Sequence, residues 1–143
     1  MPASRYDIYA EQGSTFKLHL DYKYAGGTGI NLNGFHGNMQ VRKSDKDSNM
    51  LLFLSDYGLT GGGTTGYFYG STGGVAGVGG ISFNTSTTGA TGYTGGIFLR
   101  VDSTTMKNVP SGKHFYDLEI INTLGEVYRL VEGSFEVSRE ITR

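Results

Sequence analysis

The chain has 143 residues, with twelve Lys and Arg against thirteen Asp and Glu and a formal net charge of −1. One domain fits that length, and the even charge balance argues against a phosphate-driven nucleic-acid binder or a polybasic membrane module. Cysteine is absent, which excludes a disulfide framework, a thiolate zinc site and a cysteine nucleophile.

The first twenty residues carry Arg5, Asp7, Glu11, Lys17 and His19, with no apolar stretch of the signal-peptide kind. The expectation is a soluble product that stays in the cell that made it unless it leaves inside a larger particle. Phe16, Leu18, Leu20, Tyr22 and Tyr24 then alternate with polar residues, the period of a half-buried strand. Gly26-Gly27-Thr28-Gly29 marks a turn, and Phe35, Met39 and Val41 form the next alternating run. Ser44 to Asn49 is a polar turn before Met50-Leu51-Leu52-Phe53-Leu54, the longest apolar run, far short of the about 18 residues a membrane helix needs.

Beyond a long neutral segment, Ile97 to Val101 reads as a strand. Asp102 to Met106 reads as a capped single helical turn that Pro110 stops. Tyr116, Leu118 and Ile120 alternate with Asp117 and Glu119, and Asn122 to Gly125 reads as a hairpin loop. Val127 to Val131 and Phe135 to Val137 complete the set as two further strands. Roughly seven to nine short strands at this spacing predict an all-β fold, a single immunoglobulin-like β-sandwich over residues 1–143. Its expected core comprises Phe16, Leu18, Leu20, Phe35, Met39, Val41, Leu99, Tyr116, Leu118, Ile120 and Phe135.

From Tyr57 to Leu99 there are 43 residues without a charge, and 15 of the 24 glycines lie between Gly58 and Gly96. A flexible linker would carry few aromatics and join two domains. This segment holds Tyr67, Phe68, Tyr69, Phe83 and Tyr93 and returns to the same sandwich, so it reads as a long inserted loop or hairpin at about 58–96. Gly loses the most freedom on ordering, and the few apolar residues here do not offset that within one subunit. Part of the insert is therefore expected to exchange in the free protein and to order at an interface. Candidate interface residues are Tyr67, Phe68, Tyr69, Val75, Val78 and Tyr93 from the insert, with Phe135, Val137 and Ile141 from the C-terminal strand.

Catalytic and ligand motifs are weak. Gly61-Gly62-Gly63-Thr64-Thr65-Gly66 fits the letters of a dinucleotide fingerprint, but no helix pattern follows and no acidic residue stands about twenty positions on. Asp45 to Asp56 has the length of a calcium loop, yet Met50 occupies the sixth place where that loop needs Gly. His19, His36 and His114 are not at ligand spacing. Asp117 and Glu119 share a strand face as catalytic carboxylates do, with Arg129 available on a hairpin partner to neutralise one of them. The expectation is no enzyme, no cofactor and no metal.

Three stretches together carry a resemblance. They are Tyr6 to Tyr9 with Gln12 to Tyr22, then Ile30 to Phe35 with Met39 to Ser44, and finally Ser111 to Glu119 with Gly125 to Leu130, Gly133 to Val137 and Glu140 to Arg143. The set resembles small immunoglobulin-like virion proteins of tailed bacteriophages, especially contractile-tailed phages of marine cyanobacteria. It is more remotely similar to N-terminal domains of phage baseplate upper proteins. The resemblance implies a non-enzymatic structural protein of the virion, most readily in the tail or baseplate, assembling through edge strands and the insert. Its partners would be other virion proteins and copies of itself in a symmetric oligomer, with no nucleic acid and no membrane. A capsid decoration or cement protein is the alternative within that class, and a glycan-binding host-attachment module is the alternative outside it.

Overall fold

The structure is a computed structural model and describes residues 4–44, 50–55, 68–70, 80–85 and 92–141. It is an all-β sandwich of two sheets packed face to face. The strands are β1 (Ser4–Arg5), β2 (Ile8–Glu11), β3 (Phe16–Asp21), β4 (His36–Arg42) and β5 (Met50–Ser55). They continue as β6 (Phe68–Gly70), β7 (Gly80–Phe83), β8 (Gly96–Val101), β9 (Gly112–Ile121) and β10 (Val127–Ser138), with one helical turn, α1 (Ser103–Met106).

The larger sheet runs β1-β10-β9-β4-β5-β6, with β2 also on β10, and the smaller runs β3-β8-β7. The two N-terminal strands join β10 in parallel, through Ser4↔Val131 and Phe135↔Ile8. Alternation does what the pattern predicts on β9, where His114, Tyr116, Leu118 and Ile120 are buried and Phe115 faces out. Met39, Val41, Leu52 and Leu54 of the larger sheet meet Phe16, Ile81, Ile97 and Leu99 of the smaller one in a single core. Phe16 and Phe135 pack edge to face across that core, centroids 5.4 Å apart at 66°, a geometry aromatic pairs favour.

Three expectations are corrected. Gly80–Phe83, inside the segment read as an insert, is an integral strand of the smaller sheet, and its Ile81 is fully buried. Phe68–Gly70 joins the larger sheet in parallel with β5 instead, so the two pieces do not form one hairpin. The two strands expected after Glu126 are one strand of 12 residues, β10, irregular only between Arg129 and Val131. Gly133 resembles a breaker in sequence, yet its role is contact. A Cβ there would collide with the Tyr6 carbonyl oxygen, so glycine is what lets the N-terminal segment lie against β10.

The expected core residues Phe16, Met39, Val41, Leu99, Tyr116, Leu118, Ile120 and Phe135 are buried. Leu18, Leu20 and Phe35 are half-buried and pack against the core from its margin. For Leu18 and Leu20 the reason is position, because β3 is the last strand of its sheet.

The turn chemistry works as predicted in the β9–β10 hairpin, whereas at Asp102 the helical turn forms without the expected side-chain cap. Asn122 Oδ1 accepts the N–H groups of Leu124 and Glu126, and Gly125 takes φ +83° to close the β9–β10 hairpin. Asp102 starts α1 by its backbone, accepting from Met106 N–H at 2.9 Å, while its carboxylate accepts from Arg100 Nε at 3.2 Å rather than capping.

Candidate interaction surfaces

The outward face of the larger sheet carries an open cleft of about 700 Å³. Strand register builds it. Gln40 of β4 and Glu132 of β10 stand opposite Asp117 of β9 on either side, and Arg5 of β1 stands opposite Glu132. Arg129 Nε lies 3.5 Å from Asp117 Oδ2, and its Nη1 lies 3.8 Å from Glu132 Oε2. Arg42 Nη2 donates to Gln40 Oε1 at 2.7 Å. Burial holds the Asp117 carboxyl above its ordinary range and Glu132 adds to that, while Arg129 and Arg42 pull it down. Arg129 therefore neutralises Asp117, not the Glu119 that stands beside it in register. The face is a ladder of paired charges.

The N-terminal edge of this cleft is pinned. Tyr116 donates its hydroxyl to the Tyr6 carbonyl at 2.6 Å, and Asp7 Oδ1 accepts the Ser134 N–H at 3.0 Å. That backbone N–H is the chief cause holding the Asp7 carboxyl below its usual range, and Arg5 at 3.2 Å helps. Burial pushes the Tyr116 hydroxyl above the usual phenol range, so it remains a donor.

Of the candidate interface residues, Tyr93 is partly exposed and packs edge to face on His19, centroids 5.5 Å apart at 79°. His19 Nε2 donates to the Thr85 carbonyl at 2.7 Å, and Asn84 Oδ1 accepts from Leu32 and Gly95, fixing the loop that carries Tyr93. Phe68 and Tyr69 lie on β6, with Tyr69 opposite Phe53 in the register. Tyr67, Val75 and Val78 lie outside the described residues, as do Asp45 to Asn49 and the glycine run from Gly61 to Gly66. Phe135 and Val137 are buried inside the subunit and offer no surface. The reason is that β10 is flanked by β9 on one side and by β1 and β2 on the other, not placed at a sheet edge. Ile141, three residues past the strand, is 91% exposed.

Sequence reading missed a second apolar surface at the hairpin end of the sandwich. Leu124, Val127 and Tyr128 are all exposed there, and Gly34 of the β3–β4 connection lies against the Thr123 methyl. The available signal was Leu124 within an otherwise polar turn.

Among the described residues no cluster of three or more His, Asp or Glu is placed to hold a metal. His114 is buried, with Nε2 donating to the Pro110 carbonyl at 2.7 Å. No helix of the described residues is long and apolar enough to cross a membrane. The chain matches no known protein-family model and no curated protein.

Proposed function

We propose that this chain is a non-enzymatic structural protein of a bacteriophage particle, a tail or baseplate component built on an immunoglobulin-like domain. The strand order is the observation that carries the immunoglobulin-like part of the reading. Variable-type immunoglobulin domains add two strands to a G-F-C sheet and set it against a sheet containing B, E and D. Lettered in chain order, β10-β9-β4-β5-β6 and β3-β8-β7 follow that strand order, with the N-terminal strands moved across to β10 and β6 departing from it by running parallel to β5. The resemblance of both chain ends to small virion proteins of tailed phages points the same way.

Assembly is supported by what the scaffold leaves open. Among the described residues, β3 and β7 each pair on one side only, and the larger sheet presents a charge-laddered outer face. In a symmetric particle the same modest contact repeats many times, so small adaptors hold by multiplicity. A cysteine-free chain suits assembly in a reducing cytoplasm.

Mass spectrometry of purified phage, with capsids and tails separated, tests the reading. The expected result is the chain in the tail fraction at the low copy number of a baseplate part. Hundreds of copies in the capsid fraction would make it a decoration protein instead, and absence from both would overturn the virion role.

A further inference from the structure

Strand β3 is bonded on one side. Phe16 through Asp21 pair in unbroken register with Val101 through Gly96 of β8, and no described residue pairs with the opposite edge. One step past that ladder, Tyr22 N–H donates to the Gly95 carbonyl at 2.7 Å. Residues of an antiparallel strand alternate between exchanging hydrogen bonds with the partner and directing them the other way. Phe16, Leu18, Leu20 and Tyr22 therefore face β8. The backbone N–H and C=O groups of Lys17, His19 and Asp21 point to the open edge.

The side chains of that edge are also unfinished. Leu18 and Leu20 are half-buried, although Leu99 and Ile97 opposite them on β8 are fully buried. Lys17 and Asp21 are exposed on the other face. His19 between them is bonded to the Thr85 carbonyl, beside Gly96 of β8, so its ring leans away from the open edge.

We propose that β3 pairs antiparallel with β3 of a second copy of this chain, about a two-fold axis at His19. The inference rests on the assembly reading above and names the edge and register through which copies meet. Within β3 only Lys17, His19 and Asp21 direct hydrogen-bonding groups outward, so a pairing centred on the strand sets these among themselves. Placing His19 opposite its own copy sets Lys17 opposite Asp21 of the second copy, twice, because the contact is isologous. On the inner face the same register sets Leu18 against Leu20, in the closely spaced pairs where side chains touch best. Sliding by two residues one way faces Lys17 with Lys23, and the other way leaves Lys17 against His19. The sequence Phe16-Lys17-Leu18-His19-Leu20-Asp21 is thus self-complementary in one antiparallel register. The product is a continuous sheet β7-β8-β3-β3-β8-β7 across two subunits.

A lysine on an edge strand also serves to repel unwanted pairing, and a charge swap separates the two roles. Sedimentation equilibrium is run on the full chain, on Lys17→Asp, on Asp21→Lys and on the double variant, with thermal melts to verify folding. The wild type should dimerise reversibly. Each single reversal makes two like-charge contacts and should weaken dimerisation about tenfold or more, while the double variant restores it.

Hydrogen exchange supplies the second readout. The amides of Lys17, His19 and Asp21 should gain protection with concentration, whereas those of Leu18 and Leu20, already bonded to β8, should not. A wild type monomeric at every concentration, or a double variant that fails to recover, overturns the pairing and leaves Lys17 as an edge guard. Detection in particles is independent of this. A monomeric chain found in virions refutes the pairing alone, and a swap-restored dimer absent from virions refutes the virion role alone.

Discussion

Tyr116 and Tyr6 are joined across 110 positions by a hydrogen bond of 2.6 Å from the phenol to the backbone carbonyl. The donor sits on the inner phase of β9 and the acceptor in the short link between β1 and β2, so the bond crosses β10 between them. Gly133 makes the crossing possible, because any side chain there would strike that same carbonyl.

Tyr116→Phe should therefore destabilise the protein by about 1–3 kcal/mol, the cost of leaving a part-buried acceptor unpaired. Urea denaturation reads the loss, and hydrogen exchange should show it concentrated at Tyr6, whose N–H is bonded to the Glu132 carbonyl. A loss under about 0.5 kcal/mol, typical of an indifferent surface change, would mean that the phenol does not anchor the N-terminal strands.

Core truncation should be graded by position. Leu118 is fully buried in the middle of the larger sheet, and Leu118→Ala should cost about 2–5 kcal/mol through the cavity it leaves. Leu18 lies half-buried on the open edge strand, so Leu18→Ala should cost clearly less in the monomer. Equal losses in thermal unfolding would mean that the β3 edge is covered.

These contrasts mark what the sequence could disclose. Alternation around Tyr116, Leu118 and Ile120 and the Asn122–Gly125 turn are local signals, and β9 with its hairpin was legible from them. Edge position is not local: Leu18 and Leu118 look alike in pattern, and only the order of strands separates their burial. The continuity of β10 was hidden because Gly133 reads as a breaker, when its constraint comes from Tyr6. Gly80–Phe83 was hidden by the neutral composition around it, and Phe135 was read as both core and interface because burial on two sides of β10 depends on the N-terminal strands. Of the candidate surface, Ile141 and Tyr93 were legible as apolar residues outside a core. The charge ladder of Asp117, Arg129 and Glu132 was legible in part, through the hairpin that brings Arg129 to β9.

Acid should weaken the Asp7 anchor. Its carboxyl titrates below the ordinary aspartate range in the folded protein, chiefly because it accepts the Ser134 N–H. A depressed folded value gives stability that is present above the unfolded pKa and lost as pH falls through the folded one. Wild type should thus exceed Asp7→Asn in urea midpoint at neutral pH, and the gap should close as pH drops below about 4. Asp117 has the opposite sign. Its raised value gives stability present below the unfolded pKa and lost as pH rises through the folded one, so Asp117→Asn should not lower the midpoint at neutral pH through this linkage. A pH-independent gap between wild type and Asp7→Asn would show that the carboxylate charge is not what holds Ser134.

The end of the chain should divide into a part that folds the subunit and a part that does not. Phe135 is fully buried, packs on Phe16 of the opposite sheet, and pairs with both Ile8 and His114. Phe135→Ala should cost about 3–5 kcal/mol, and deleting Phe135 to Arg143 removes the end of β10 that holds β2 to β9, so folding should be lost. Ile141 is different, being 91% exposed beyond the last paired residue. Ile141→Ser should leave the melting temperature unchanged, within about 0.5 kcal/mol. Under the assembly reading it should still reduce incorporation into particles, measured by mass spectrometry of virions grown with the variant. A deletion from Phe135 that folds normally would overturn the structural claim, and full incorporation of Ile141→Ser would remove Ile141 from the interface.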